Sequence, residues 1–258
     1  MPTFFTSKAF KIAIIILLIL SFLWVTASYY LYTQAVKIVY EPQYSKDLVY
    51  KVETTTEFTN NSAGEKLDLL FTKKADSDKY FLYLSGNVGR LPYIVEGLSE
   101  YQNLLSVAYP GYSLSQGAPN TDKVNEAAEI ALKYLNDKGI TNDKITVFGH
   151  SLGGSPSLYL ASKHADLNKV IIVNTFYSMQ KMCEIEYSIL CVFASSIHPS
   201  NTYAKQAKAP IIHYHNPKDE KIPFAQGQEL NKIIASQNSF YEISGTHGEF
   251  PVDEALRY

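Results

Sequence analysis

Cysteine is nearly absent from this 258-residue chain, which holds two, Cys183 and Cys191. That scarcity excludes a small disulfide-framework fold. Charge is sparse as well: 19% of residues are charged, and 23 basic against 25 acidic side chains leave a formal charge of -2. With no basic block or stripe, the chain lacks the electrostatic footprint of a nucleic-acid binder. Neither an internal repeat nor a long Pro/Gly/Ser linker divides it, which excludes repeat architectures and argues for one packed core beyond an N-terminal segment. What is abundant is apolar side chain, 46% of residues, the composition of a globular protein.

Between Lys11 and Lys37 no charged residue occurs, and Ile12 to Val25 is nearly all aliphatic or aromatic. About 20 apolar residues cross a bilayer as a helix, and Ile12 to Tyr32 reaches that length when Ser21, Thr26, Ser28 and the tyrosines are included. Trp24, Tyr29, Tyr30 and Tyr32 suit an interfacial aromatic belt. Residues 1–33 therefore read as a membrane anchor. The rival is a cleaved signal peptide, since Lys8 and Lys11 precede the apolar core and Val25-Thr26-Ala27 offers small residues for cleavage. Either way the remaining domain, residues 34–258, is expected to be exported. Lys37 and Lys46 on the far side keep the contrast in flanking positive charge small.

On one straight helix Cys183 and Cys191 would lie roughly 12 Å apart, beyond disulfide reach. A bridge needs a bend between them, and two buried thiols in an apolar segment is the favoured reading.

Leu48 to Phe58 and Leu67 to Phe71 read as strands joined across the polar cluster Asn60-Asn61-Ser62-Ala63-Gly64, an antiparallel start. Short apolar runs then alternate with helical stretches. Strands are expected at Tyr80 to Leu84, Leu104 to Ala108, Ile145 to Phe148, Val170 to Val173, Ile211 to Tyr214 and Phe240 to Ile243. Helices are expected at Leu91 to Tyr101, Leu152 to Lys163 and Phe224 to Ser236, with a short one after Pro251. Val124, Ala127, Ala128, Ala131, Leu132 and Leu135 repeat at helical spacing after a cap at Asn120 or Thr121. Such alternation predicts an α/β, doubly wound, mostly parallel sheet with helices on both faces. Asn174 to Lys205 stands outside the alternation and reads as a small cap of one or two short helices, brief enough to leave a pocket beneath it relatively open.

The sharpest local signal is Gly149-His150-Ser151-Leu152-Gly153, directly after an apolar β run and before a helical stretch. A nucleophile elbow needs small residues two before and two after its serine, because the strand turns sharply into a helix. The serine hydroxyl then stands at a helix N-terminus, which favours developing negative charge. A serine needs a base, and the base an orienting carboxylate. In this kind of α/β enzyme they follow in the order acid, then histidine, on loops at the carboxyl ends of later strands. Asp219 follows the strand Ile211 to Tyr214, and His247 follows Phe240 to Ile243. Glu220 competes with Asp219, but one residue of shift turns its side chain away.

Two backbone donors must hold the oxyanion. Leu152 N–H is the first candidate. The second comes from Ser85-Gly86-Asn87-Val88-Gly89-Arg90, with Asn87 favoured over Val88. Arg90 could meet an anionic group but reads better as a solvated loop arginine. His150 lies on the wrong side of Ser151 for a base and suits packing or pocket lining. His213 and His215 alternate on one strand face without an acidic or cysteine partner at ligand spacing, so no metal is expected. His164 and His198 read as surface or cap residues.

From about Tyr50 onward the chain resembles the α/β-hydrolase superfamily, and within it the small anchored serine hydrolases of the abhydrolase-domain type. The family's Y-R-G-Y-G-x-S-x-G-x-P loop is similar to Tyr109-Pro110-Gly111-Tyr112-Ser113-Leu114-Ser115-Gln116-Gly117-Ala118-Pro119, and its G-x-S-x-G is present. Its late H-G-x-x-D-x-x-V-P is similar to His215-Asn216-Pro217-Lys218-Asp219-Glu220-Lys221-Ile222-Pro223. Ser85, Pro110, Ser113 and Asn216 depart from the family pattern, and none is a triad position. The resemblance implies ester, thioester or lipid acyl hydrolysis, and an acyl-enzyme mechanism through a serine and a histidine needs no cofactor. The expectation is a membrane-associated serine hydrolase with Ser151, His247 and Asp219 as its triad and acyl, lipid-like substrates favoured. Its rivals are a serine aminopeptidase and an inactive membrane-tethered scaffold of the same fold.

Overall fold

Alternate residues of single strands feed two separate cores. Leu82 and Leu84 pack on one side of the sheet and Phe81 and Tyr83 on the other, and Val170 and Ile172 likewise oppose Ile171 and Val173. Strands buried on both faces need near-continuous apolar sequence, which is why these segments show no polar alternation. The structure, a computed structural model, describes residues 8–257.

A long helix α1 (Lys8–Val39) leads into β1 (Thr55–Asn60), β2 (Lys66–Thr72), β3 (Tyr80–Leu84), α2 (Pro92–Ser99), β4 (Asn103–Val107) and α3 (Thr121–Asp137). There follow β5 (Ile145–His150), α4 (Gly154–Lys163), β6 (Lys169–Val173), α5 (Met179–Tyr187), α6 (Ser200–Ala204), β7 (Ile211–His215), α7 (Phe224–Lys232) and β8 (Asn238–Glu242). The eight strands form one sheet in the order β1-β2-β4-β3-β5-β6-β7-β8. β1 with β2 and β2 with β4 pair antiparallel, and the remaining pairs are parallel. This is the expected doubly wound α/β architecture, and it brings the ends of β3, β5, β6, β7 and β8 to one edge.

α3 and α4 cover one face, with Val124, Ala128, Leu132 and Leu135 buried beside Leu158 and Ala161. α2 and the C-terminal segment cover the other through Ile94, Leu98, Phe250 and Val252. Burying one such leucine contributes about 1.5–3 kcal/mol. α3 begins at the expected cap: the Asn120 side chain accepts from Lys123 N–H at 2.9 Å, worth about 1 kcal/mol. β1 starts at Thr55, seven residues later than expected, and Leu48 to Thr54 run as irregular chain.

The 32 residues of α1 are long and apolar enough to cross a bilayer, and the helix continues unbroken past residue 33 to Val39. Leu17, Leu18 and Phe22 are exposed, whereas Ser28 is buried and Leu31 and Tyr32 pack on the core. The last part of α1 therefore rests on the domain.

The cap consists of α5, a 3-10 stretch Ser188–Ser196 and α6. Here the sequence expectation fails: Cys183 and Cys191 form a disulfide, with their Cα atoms 5.8 Å apart. The bend that permits it lies at Ser188, whose φ of 49° ends α5 and reverses the chain. His198, expected at the surface or in the cap, lies in the cap between the 3-10 stretch and α6 and not at the surface. It is fully buried and shares a 2.7 Å hydrogen bond with Tyr40 Oη, and burial pushes its imidazole down to about 3.

Candidate active site

At the end of β5 the chain turns into a helix within one residue, and Ser151 occupies that turn with φ 54°. A non-glycine residue held in the left-handed region costs roughly 1–2 kcal/mol, so the surroundings must impose it. They do so through close backbone approach. A Cβ on Gly149 would lie 2.6 Å from Gly153 O, and one on Gly153 would lie 2.7 Å from Ser85 O at the end of β3. Thr175 Oγ1, just beyond β6, donates to Ser151 O at 2.7 Å and ties the turn to the next strand.

Ser151 Oγ lies 2.9 Å from His247 Nε2, and His247 Nδ1 lies 2.8 Å from Asp219 Oδ2. Asp219 sits in the turn after β7, where its Oδ1 accepts from Lys221 and Ile222 N–H at 2.8 Å each. Burial pushes this carboxyl up, but the His247 hydrogen bond and charge, with the two amides, outweigh it and hold it below the ordinary aspartate value. An ionised carboxylate only accepts, so Nδ1 carries the imidazole proton and Nε2 offers its lone pair to the Ser151 hydroxyl. The three residues expected from the sequence are therefore together. Glu220 points elsewhere and accepts from the His247 backbone N–H at 3.2 Å.

Three further residues hold this arrangement. His150 Nε2–H donates to His247 O at 2.8 Å, and burial pushes its imidazole down to about 3, keeping it neutral. Asn174, directly after β6, donates through Nδ2 to the same oxygen at 3.2 Å, while its Oδ1 accepts from Asn216 N–H at 2.8 Å. His215 Nε2–H donates to Ile222 O at 3.0 Å and lies 3.6 Å from Asp219 Oδ2. His150 lines the pocket as expected, but its bond to the His247 loop had no sequence signal beyond adjacency to Ser151. The position of Asn174 at a strand's carboxyl end was the one available hint for that residue.

The loop after β3 runs beside the serine: a Cβ on Gly86 would stand 3.5 Å from Ser151 Cβ. Tyr109 Oη donates to Ser85 O at 3.0 Å, Tyr112 Oη donates to Asn87 O at 2.8 Å, and Asn87 Nδ2 donates to Glu41 Oε2 at 2.7 Å. The Tyr109 to Pro119 motif thus positions this loop. Arg90 corrects its expectation. It is buried, with Nη2 2.7 Å from Asp68 Oδ2 and 3.0 Å from Ser113 Oγ, and takes no part in the cavity at Ser151. His213 is buried against Phe240 and His215. Among the described residues no three His, Cys, Asp or Glu side chains group as a metal site.

A cavity of about 770 Å³ opens over Ser151. Phe176, just before α5, and the cap side chains Met179 and Met182 form one wall, and Leu31, Ile38 and Val39 of α1 form another. The sequence expectation of a relatively open pocket left out α1, which here supplies part of the wall.

This sheet order and parallel core define an α/β hydrolase. The solved fold neighbours include an α/β hydrolase from Vibrio vulnificus, with a TM-score of 0.67, 18% identity and coverage of 80% of this chain and 79% of that one. An esterase from Pyrococcus furiosus gives a TM-score of 0.63 at 18% identity, covering 76% and 84%. The chain belongs to the dienelactone hydrolase family, which it matches over residues 113–248. Among curated proteins it is 28% identical to protein bem46 of Schizosaccharomyces pombe over 219 residues, 75% of this chain and 73% of that protein. It is 26% identical to an uncharacterized membrane protein of Saccharomyces cerevisiae, covering 71% and 70%. It is 27% identical to the human α/beta hydrolase domain-containing protein 17C, covering 72% of this chain and 57% of that protein. The protein is thus a hydrolase of the α/β-hydrolase fold.

Proposed function

We propose that the protein is a membrane-tethered serine hydrolase that cleaves carboxylic ester or thioester bonds of lipid-like acyl substrates. The observation that carries this reading is the continuous chain from Ser151 Oγ through His247 to Asp219, at 2.9 and 2.8 Å. The Ser151 Oγ–H bond gives its proton to His247 Nε2 as the oxygen attacks the acyl carbonyl. Asp219 holds the imidazole in its tautomer and stabilises the imidazolium. Leu152 N–H, in the first helical turn where amides lack intrahelical partners, and Asn87 N–H hold the oxyanion. The imidazolium then protonates the departing alkoxide or thiolate. Water, deprotonated by His247, attacks the acyl-enzyme and releases the acid and Ser151. The chemistry needs no cofactor.

Residues 1–33 act as the anchor and residues 34–258 as the exported catalytic domain. Support comes from the bilayer-spanning length and composition of α1, from a relative named as a membrane protein, and from the disulfide, which suits an oxidising compartment. The apolar cavity over Ser151 supports an acyl chain as the bound group. The test is turnover of p-nitrophenyl esters of increasing chain length by the full chain in detergent. Hydrolysis that rises with chain length and disappears in Ser151→Ala supports the reading, and full turnover by Ser151→Ala overturns it.

A further inference from the structure

The cap carries an apolar surface that the catalytic reading does not use. Ile185, Ile189, Val192 and Phe193 are exposed around the disulfide, with Ile189 73% exposed. From Tyr187 to Ala204 no Asp, Glu, Lys or Arg occurs. An exposed apolar patch of this kind marks an interaction surface, and its position identifies the occupant. Phe193 packs edge-on against Tyr29 of α1 with ring centroids 6.4 Å apart, and Ser28 one residue earlier is buried.

Those α1 residues lie inside the stretch that is long and apolar enough to span a bilayer. Ile12 to Tyr32 rises about 30 Å as helix, the thickness of the hydrocarbon. Half-buried Trp24, buried Ser28, Leu31 and Tyr32 share one helix face toward the domain. Trp24 to Tyr32 covers about 12 Å of that rise. A helix placed to span cannot keep this contact unless the cap itself enters the leaflet. The cavity over Ser151 has Leu31 and Ile38 of α1 on one side and Met182 and Tyr187 of the cap on the other, so the seam between them faces the same apolar layer.

Resting on the hydrolase reading above for its catalytic consequence, we propose that Ser188–Ser196 lies in the hydrocarbon of the leaflet that α1 crosses. The seam between α1 and the cap is then a lateral port by which one acyl chain of a bilayer lipid reaches Ser151. The outward apolar side chains meet lipid, and the 3-10 stretch satisfies much of its own backbone, as immersion requires. The scissile ester stays at the interface, beside the polar triad.

The test places the full chain in phosphatidylcholine nanodiscs with or without bromine at carbons 6 and 7 of the acyl chains. Trp24→Phe removes the one native tryptophan, and Phe193→Trp reports on the cap. Tyr101→Trp in the same background reports on an exposed position before β4, at the opposite end of the parallel strands. Bromine should quench the Phe193→Trp emission to half or less and leave Tyr101→Trp unchanged, while aqueous iodide does the reverse. Quenching of Phe193→Trp by iodide alone overturns the proposal, and protection from both quenchers does so by showing a second copy of the chain on this face. Ile189→Glu with Phe193→Glu separates the port from the chemistry. Turnover of a long-chain ester in the bilayer should fall about tenfold or more, because carboxylates resist immersion, with p-nitrophenyl acetate hydrolysis unchanged. Equal loss on both substrates, or on neither, overturns the port. A wild-type chain that cleaves neither ester overturns the hydrolase reading and leaves the bromine result to decide the immersion.

Discussion

His150, the residue before the serine, holds the loop that carries His247: its Nε2–H donates to the His247 carbonyl at 2.8 Å. His247 is thus fixed at both ends, its ring by Asp219 and its backbone by His150 and Asn174. Misplacing a reacting group by about 1 Å can cost about 10²-fold. His150→Ala should lower kcat by that factor and more than it changes KM, because the bond it loses is to the His247 loop. His150→Gln, which keeps a donor, should recover part of the rate. Steady-state kinetics on a short ester check both, and an unchanged kcat in His150→Ala refutes the positioning role.

In the proposed mechanism Asp219 acts through the tautomer of His247, whose Nδ1 lies 2.8 Å from its Oδ2. Asp219→Asn replaces an acceptor-only group with an amide and should lower kcat by roughly 10⁴-fold while the fold persists. Circular dichroism and kcat measured on the same sample separate loss of chemistry from loss of structure.

Acid should destabilise the protein well before its carboxylates protonate. His150 and His198 are pushed down to about 3 by burial, whereas the unfolded chain takes up a proton on each near pH 6.5. Between those values the unfolded state binds more protons, so stability rises with pH there and is lost as pH falls, by up to roughly 1.4 kcal/mol per unit for each histidine. Asp219, held low, adds in the same direction below the ordinary aspartate value. Thermal melts from pH 8 to 4 should show a falling Tm, with a shallower slope in His198→Gln. A Tm independent of pH over this range contradicts the buried neutral histidines.

The disulfide closes a short loop, for which the chain-entropy relation gives about 2–3 kcal/mol. Since the cap packs beside the cavity, the local structure bears this loss most. Cys183→Ala with Cys191→Ala should increase proteolytic cleavage between residues 179 and 196 while leaving the sheet intact. Mass spectrometry of the first fragments checks the site of cleavage.

Much of the site was legible because strand ends are legible. The apolar runs ending near Leu84, Phe148, Tyr214 and Ile243 located the sheet edge, and the order of Ser151, Asp219 and His247 along the chain then placed each on it. The disulfide was not legible, because the bend depends on a serine in the left-handed region, a conformation that residue type does not announce. Arg90 reads as a solvated loop residue until Asp68 comes to meet it from β2, 22 residues earlier. His198 is likewise buried by Tyr40, 158 residues away. Such long-range pairings leave no local period. The role of α1 in walling the cavity escaped for the same reason, since its pattern reports length and apolarity but not which face meets the domain.

The most direct test of the central claim is reaction of the full chain in detergent with a fluorophosphonate probe, followed by peptide mapping. The account predicts a single adduct on Ser151, lost in His247→Ala although Ser151 is still present. No adduct on a folded sample, or one on another serine, contradicts it.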